Sequence, residues 1–318
     1  MGGNIGVPLL DRLDEMRPES WAVLEISHTQ LEIFGRGPHI AVVTNIAPSH
    51  ADRYPDMGEY IALKKRIFAG QGEGDYTVLN YDDPVTKAMA EETSGQAIFF
   101  SRSHDHGLDG AFLRDGWVMA RIKGREERVV STDEIKLLGE HNLENVLAAS
   151  AIAALCGVVS EVTAQAIASF RGVEHRLEWV RCLGGVDFYN DSIATTPHRS
   201  LAGLRVFSRP VVLIAGGRGK QLPLDELAAE AIERCRAVVL YGESAPYLER
   251  AIEAAASREC GLTLIRVDVF QETVAAAREA ALPGDVVLLS PACTSFDSFA
   301  NFEERGREFK HLVGLLKE

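Results

Sequence analysis

The sequence predicts an α/β protein of two domains, and three observations support this. The length of 318 residues is about that of two average domains. In the second half, short β-branched runs alternate with amphipathic segments roughly every 25 residues, a pattern typical of a doubly wound, mostly parallel sheet. The continuous apolar run Val211–Ala215 indicates a strand that is covered on both faces.

The elements of the second half follow from this alternation. The predicted strands are Val186–Asn190, Val211–Ala215, Ala237–Tyr241, Leu262–Val267 and Val286–Leu289. The predicted helices are Pro197–Phe207, Leu224–Arg236, Ala245–Ser257, Gln271–Ala281 and Phe302–Leu316. The result is a Rossmann-like C-terminal domain.

The first half is more mixed, and the pattern predicts fewer elements there. The apolar runs Ala22–Ile26, Ile40–Thr44 and Tyr76–Asn80 are predicted to be buried strands, and a hairpin is predicted to join Trp117–Ile122 and Arg128–Ser131. The predicted helices are Tyr60–Phe68, His141–Cys156 and Val162–Phe170. We place the boundary near Gly172–His175, which divides the chain into domains at residues 1–173 and 174–318.

Composition narrows the classes of function. Asp and Glu total 46 against 33 Lys and Arg, a net charge of −13 that disfavours contact with nucleic-acid backbones. The five cysteines are scattered without a C-x-x-C pair, which argues for a reducing compartment and against a disulfide framework or a zinc site. The start at Met1–Ile5 has no leader pattern, and no apolar run is long enough to span a membrane. We expect a cytoplasmic monomer that binds neither nucleic acid nor membranes.

Polar residues follow the predicted strands, at the edge where open α/β sheets bind ligands. Glu25 and His50 could hold a divalent cation, or could be a capping glutamate and a loop histidine. Lys64 lies in a run of three cations, which is typical of a solvated helix face. The Gly216–Lys220 loop could cradle an anion on its backbone N–H groups. It matches neither a P-loop nor the dinucleotide fingerprint G-x-G-x-x-G, so a nicotinamide dehydrogenase is disfavoured.

Two further segments are more specific. Asn142 and Asn145 stand three residues apart at a predicted helix start, where their amides could contact a nucleobase edge or cap the helix. The run Ser290–Asp297, followed by Asn301–Gly306, places a Ser/Thr-rich loop before a helix, which suits a carboxylate or a phosphate.

At these motifs the chain resembles the Mur ligase family, most closely its D-glutamate-adding members. The matching segments run in family order along nearly the whole chain: Gly3–Gly6, Glu25–Glu32, Asn45–Lys64, Gly139–Asn145, His175–Glu178, Asn190–Thr195, Gly216–Lys220 and Ser290–Gly306.

The resemblance implies a partial central ATPase domain, with a mixed sheet and helices, followed by a Rossmann-like domain that binds the amino acid. It implies an ATP-dependent, ADP-forming amide ligase that adds D-glutamate to UDP-N-acetylmuramoyl-L-alanine through an acyl phosphate, in peptidoglycan precursor synthesis. Mg²⁺ and a carbamylated lysine would assist by neutralising and orienting phosphate.

The resemblance also implies residue roles. The metal ligands would be Glu25, His50 and Lys64, with Lys64 carbamylated. The catalytic set would be Lys64, His50, His175 and Lys220. The ATP contacts would be Asn142, Asn145, Arg176 and Asp191. The contacts to muramoyl-alanine would be Asn4, Ser27 and Gln30. The contacts to D-glutamate would be Thr195, Lys220, Ser295 and Phe302.

Departures from the family pattern set the alternatives. Ile193 stands where the family has a lysine, and Ser49 stands where it has an aspartate. The uridine-nucleotide domain and the P-loop are absent from the sequence, so we expect a truncated ligase that is inactive by itself. The alternatives are another ligase of the superfamily and a catalytically dead module that binds nucleotide or glutamate.

Overall fold

The computed structural model describes residues 1–4, 9–46, 54, 56–219, 222–256 and 261–317. The chain forms two compact units. Unit 1 comprises Met1–Ile135 and Glu140–Ser169, and unit 2 comprises Lys136–Gly139 and Phe170–Glu318. The prediction that a boundary near residue 173 separates an ATP-binding domain from an amino-acid-binding domain stays a prediction. None of the helices in the described part of the chain has the length and apolar character needed to cross a membrane.

Unit 1 contains a six-stranded mixed sheet and a small two-stranded one. Its strands are β1 (Gly2–Gly3), β2 (Leu24–Glu25), β3 (Ile40–Val43), β4 (Tyr76–Asn80), β5 (Gln96–Ser101), β6 (Gly110–Arg114), β7 (Trp117–Ile122) and β8 (Arg125–Ser131). Its α-helices are α1 (His28–Glu32), α2 (Met57–Lys65), α3 (Pro84–Ala88), α4 (Glu140–Leu155) and α5 (Ser160–Ser169). Strands β3 to β6 are parallel, and β6, β7 and β8 are antiparallel.

The predicted hairpin is confirmed, with a shorter turn. Ile122 pairs with Arg125, so the loop consists of Lys123 and Gly124, both at positive φ (52° and 75°). Two left-handed residues match the right-handed twist of the flanking strands, which is why two-residue hairpins favour such turns.

The structure corrects one strand of unit 1 and adds three, of which one is the two-residue β1 and the others are β5 and β6. The predicted buried strand Ala22–Ile26 is wrong, because only Leu24–Glu25 is a strand and both of its residues are exposed. Among the described residues it pairs with the two-residue strand β1, and its one apolar side chain, Leu24, is exposed. Strands β1, β5 and β6 were not predicted.

Unit 2 is built on a second six-stranded sheet, in the order β13-β12-β11-β14-β10-β9. Its strands are β9 (Glu178–Leu183), β10 (Val186–Asn190), β11 (Val211–Gly216), β12 (Cys235–Tyr241), β13 (Thr263–Arg266) and β14 (Val286–Ala292). Its helices are α6 (Pro197–Arg205), α7 (Asp225–Arg234), α8 (Ala245–Ala255), α9 (Phe270–Ala280) and α10 (Phe302–Leu315). All strand pairs are parallel except β9 with β10, so the doubly wound prediction is confirmed.

Two apolar clusters cover the two faces of this sheet. Helices α6, α7 and α8 pack against one face through side chains such as Leu204, Leu227 and Leu248. Helices α9 and α10 pack against the other face through Val274 and Phe309. Every residue of β11 is buried, as its continuous apolar run predicts.

The topology creates a crevice at one edge of the sheet in unit 2. After β11 the chain continues to α7 on one face, whereas after the adjacent β14 it continues to α10 on the other. Loops that diverge in this way leave a crevice at the carboxyl ends of the two strands. The loops after β10, β14 and β11 therefore border this crevice.

Candidate active site

Asp191 begins the loop after β10 and is almost fully buried, at 4% exposed. Its Oδ1 accepts a hydrogen bond from the Leu177 amide at 3.2 Å, and its Oδ2 accepts one from Ser290 Oγ at 2.9 Å. Burial raises the pKa of Asp191 to about 7, although both hydrogen bonds and the charges of Arg176 and Arg199 oppose the shift. A carboxyl group that titrates near neutral pH in a crevice is typical of a functional position.

His175 lies beside the same strand and is 3% exposed. Its Nδ1 lies 2.9 Å from Nδ2 of Asn190, which can only donate, so Nδ1 accepts and the ring is neutral with its proton on Nε2. Burial lowers the pKa of His175, which agrees with this neutral form. The Phe302 ring contacts the imidazole edge to face, with 6.1 Å between the ring centroids.

Three charged side chains lie around this histidine. Lys310 donates to Glu174 and also to Glu178 Oε1, the latter at 2.9 Å. Glu178 Oε2 accepts from the His175 amide at 2.9 Å and from Asn190 Nδ2 at 3.1 Å. Lys310 binds both glutamates, so this cluster links the start of unit 2 to α10.

Two of the predicted D-glutamate residues, Thr195 and Ser295, lie on neighbouring loops of unit 2. Thr195 is half-buried in the loop after β10, and Ser295 is 2% exposed in the loop after β14. Ser192 Oγ donates to the Phe302 carbonyl at 2.8 Å, which ties the first loop to the start of α10. Ser295 Oγ forms no hydrogen bond within the described chain, whereas its carbonyl accepts the amides of Ser298 and Phe299.

The glycine-rich loop after β11 packs closely against its neighbours. Gly217 has a φ of 116°, and a Cβ there would overlap the Thr294 carbonyl. Arg218 is paired with Glu243 through two hydrogen bonds of 2.9 Å, so its charge is already compensated. Lys220, predicted as the cation of this loop, lies outside the described residues.

Sequence reasoning assigned no role to Arg305, although it stands within the Ser290–Gly306 run. Its side chain is completely buried and reaches from α10 to the loops after β10 and β14. The sequence signal was an arginine inside an otherwise matching motif, but nothing local indicated its burial.

In unit 1 the structure brings together two pairs of predicted residues. Asn4 Nδ2 donates to Glu25 Oε1 at 3.1 Å. Ser27 and Gln30 form a capping box at the start of α1: the Gln30 amide donates to Ser27 Oγ, and the Ser27 amide donates to Gln30 Oε1 at 2.8 Å. These two side chains therefore already have a structural role.

The other predicted residues of unit 1 are placed separately. The Lys64 ammonium lies 5.4 Å from the centre of the Tyr60 ring, and within the described residues no hydrogen bond or ion pair joins it to Glu25. Asn145 Nδ2 donates to Asn142 Oδ1 at 3.3 Å on the first turns of α4. His50 and Ser49 lie outside the described residues.

Comparison with known protein families gives two matches in chain order. Residues 2–153 match the Mur ligase middle domain, and residues 175–293 match the Mur ligase, glutamate ligase domain. The UDP-N-acetylmuramoylalanine--D-glutamate ligase of Symbiobacterium thermophilum is 47% identical over 99% of this chain and 69% of its own length. The ligase of the same name from Acetivibrio thermocellus is 41% identical over all of this chain and 68% of its own length.

Solved structures show the same fold at low identity. UDP-N-acetylmuramate-alanine ligase MurC from Thermotoga maritima aligns with a TM-score of 0.63 at 16% identity, over 92% of this chain and 63% of its own. MurF ligase from Thermotoga maritima in complex with ADP aligns with a TM-score of 0.57 at 19% identity, over 87% of this chain and 63% of its own. The chain thus spans about two thirds of the length of its relatives. With both domain models matched in order and relatives above 40% identity along its length, the chain belongs to the Mur ligase family.

Proposed function

We propose that this chain carries the ATP-binding and D-glutamate-binding parts of a UDP-N-acetylmuramoylalanine--D-glutamate ligase. The observation that carries the proposal is that relatives of this name are 47% and 41% identical over essentially the whole chain. In this reaction ATP phosphorylates the carboxylate of the nucleotide-linked substrate, and the amine of D-glutamate displaces the phosphate. Such a reaction needs ATP. We also keep the cytoplasmic location and the monomeric state as proposals.

In this proposal D-glutamate binds at the crevice of unit 2. Its carboxylates would accept hydrogen bonds from Thr195 and Ser295, and Phe302 would pack beside them. Ser295 Oγ supports this role because it has no hydrogen-bond partner among the described residues, so its donor is available to a ligand. We assign Lys220 to the same substrate from the family pattern alone.

We assign the nucleotide contacts from the family pattern, separately for each unit. In unit 2, the exposed Arg176 would pair with phosphate and Asp191 would accept from the ribose hydroxyls. His175 of the same unit is neutral and is held by Asn190. In unit 1, the amides of Asn142 and Asn145 would contact the adenine edge.

Mg²⁺ would neutralise the phosphate charge in this reaction. Glu25 suits it, because the ion prefers oxygen ligands and this carboxylate is exposed with a single hydrogen bond from Asn4 among the described residues. We keep His50 and a carbamylated Lys64 as the other proposed ligands. A carbamate would convert the Lys64 cation into an anion that can orient the metal.

One observation favours a second candidate, a binding module without catalytic activity. Ile193 occupies the position of a family lysine, and an alkyl group cannot supply a positive charge to the phosphate. Its backbone is nevertheless held in place, because its amide donates to the His175 carbonyl at 3.1 Å. Such a module would bind D-glutamate or ADP without turnover.

Calorimetry on the 318-residue chain tests the proposal. We expect D-glutamate to bind, L-glutamate to bind at least tenfold more weakly, and Ser295→Ala to weaken D-glutamate binding about tenfold. Ser298→Ala is the matched control, because Ser298 is an exposed serine of the same loop. The absence of D-glutamate binding would refute the proposal. Phosphate release by this chain with ATP and both substrates would exclude the binding module, and it would also contradict the expectation that the chain is inactive by itself.

A further inference from the structure

Arg305 is the largest fully buried side chain of the described residues, with 0% of its surface exposed. Its guanidinium makes four hydrogen bonds to oxygen atoms. Nε donates to Ser192 Oγ at 2.9 Å and Nη2 donates to the Ser192 carbonyl at 2.8 Å. Nη1 donates to the Cys293 carbonyl at 3.1 Å and to the Tyr241 hydroxyl at 3.3 Å. One side chain of α10 therefore joins the loop after β10, the loop after β14 and the end of β12.

All four acceptors are neutral. Within the described part of the chain, no carboxylate forms an ion pair with Arg305, so a buried positive charge is held by carbonyl and hydroxyl oxygens alone. Burying a cation without a counter-charge is unfavourable, and buried charges in proteins are usually paired. The planar fork of five N–H donors is what allows Arg to reach several acceptors at fixed angles, and a lysine ammonium cannot reproduce it.

The backbone next to both loops that Arg305 joins adopts uncommon conformations. Ala292, directly before Cys293, has a φ of 60°, a left-handed conformation that non-glycine residues adopt rarely. The Thr195 amide donates to the Ile193 carbonyl at 2.8 Å, which closes a tight turn directly after Ser192. A Cβ added at Gly217 would lie 3.3 Å from Nη1 of Arg305, so the glycine-rich loop after β11 also packs on the guanidinium.

We propose that Arg305 is a positioning residue that holds the Ser192–Thr195 and Cys293–Ser295 loops in one fixed arrangement for D-glutamate. It acts through these loops, because a side chain with no exposed surface cannot itself contact the ligand. Only the ligand named here, D-glutamate, rests on the proposed function. The clamp, by which we mean the hydrogen bonds of Arg305 to the two loops, lies within unit 2 and does not depend on that function. It predicts that the fork geometry matters, and that positive charge alone does not suffice.

The test compares Arg305→Lys with Arg307→Lys in the 318-residue chain. Arg307 is an exposed arginine on the same helix, two residues further along. Hydrogen exchange reports on the loops through the amides of Ala194, Thr195 and Thr294, each of which donates a backbone hydrogen bond. We expect Arg305→Lys to speed exchange at these amides at least tenfold while the α10 amides stay protected. We also expect D-glutamate affinity, measured by calorimetry, to fall at least tenfold, and Arg307→Lys to change neither.

The outcomes separate the clamp from the proposed function. If Arg305→Lys keeps both the loop protection and the D-glutamate affinity of the parent chain, the clamp is overturned. If the parent chain binds no D-glutamate, the proposed function fails, and exchange at the two loops still decides the clamp. Should Arg305→Lys fail to fold, Tyr241→Phe and Ser192→Ala each remove one acceptor. We then expect Ser192→Ala to speed hydrogen exchange at the amides of both loops. Exchange that stays unchanged in both variants overturns the proposal.

Discussion

The replacement Asp191→Asn is the prediction that the structure supports most directly. Burial raises the pKa of this carboxyl group from 3.8 to about 7, and it accepts hydrogen bonds from the Leu177 amide and Ser290 Oγ. Asparagine has nearly the same shape. Its Oδ1 can accept the Leu177 amide, and its Nδ2 can donate to Ser290 Oγ, so the packing is retained without a titratable group.

The magnitude follows from the pKa difference between the folded and unfolded chain. Below about pH 3.8 the carboxyl group is protonated in both states, and above about pH 7 it is ionised in both. Between these values only the unfolded chain releases the proton, so stability falls as the pH rises. A shift of about 3 units corresponds to roughly 4 kcal/mol in total, of which about 2 kcal/mol falls between roughly pH 5.5 and 7.

Urea denaturation at pH 5.5 and pH 8 measures this contribution of Asp191 to the free energy of unfolding. Trp179 is the one tryptophan of unit 2 in the sequence, so fluorescence in a background with Trp21→Phe and Trp117→Phe reports that unit alone. We expect the free energy of unfolding of Asp191→Asn, relative to the parent, to increase by about 2 kcal/mol from roughly pH 5.5 to 8. Groups common to both chains, such as His175, Arg176 and Arg199, cancel in this difference.

Parallel pH dependence in the two chains would refute the argument, because it would mean that Asp191 titrates normally in the folded state. A parent chain that is more stable than the variant at pH 8 and less stable at pH 5.5 would refute its sign. A carboxylate that lowers stability at neutral pH is retained for a reason other than folding, which agrees with its proposed contact to the nucleotide.

Three further changes are expected to lower stability. Gly306→Ala places a Cβ where it would overlap the His175 ring, so α10 must shift; we expect a lower melting temperature and faster exchange at the His175 amide. Phe188→Ala removes a fully buried ring of β10 and should cost about 3–5 kcal/mol in urea denaturation, and a loss below about 1 kcal/mol would contradict this packing. Asp83→Ala removes the N-cap of α3 and the acceptor of the Ile46 amide, at a cost of about 1–2 kcal/mol that thermal melting of unit 1 should detect.

Much of unit 2 was predictable from local pattern. Each strand with a continuous apolar run, such as Val211–Ala215, lies within a strand of the structure, because residues that are covered on both faces must all be apolar. The unpredicted β9 is the antiparallel edge strand, and five of its six residues are partly or fully exposed, so it has no continuous apolar run to signal it. In unit 1, strand β2 was overpredicted because its apolar residues lie on the surface.

Some of the predicted site residues can be placed in the structure, and others cannot. Motif order along the chain identified Asp191, Ser295 and Phe302 as candidates, and in unit 2 the first two lie on the loops after β10 and β14, whereas Phe302 is the first residue of α10. His50 and Lys220 lie outside the described residues, and their roles stay predictions. Ser27 and Gln30 were predicted as substrate contacts, and the structure shows that they also cap α1, a local pairing that their spacing of three residues allows.

The sequence by itself determined the fold class, the doubly wound architecture of unit 2 and the family, because periodicity and motif order are local properties of the chain. Only the tertiary structure decided that Arg305 is fully buried among neutral acceptors and that Asp191 titrates near neutral pH. Arg305 and Ser192 stand 113 positions apart. The burial and charge of such side chains are determined by which distant segments pack around them, and no local pattern records that packing.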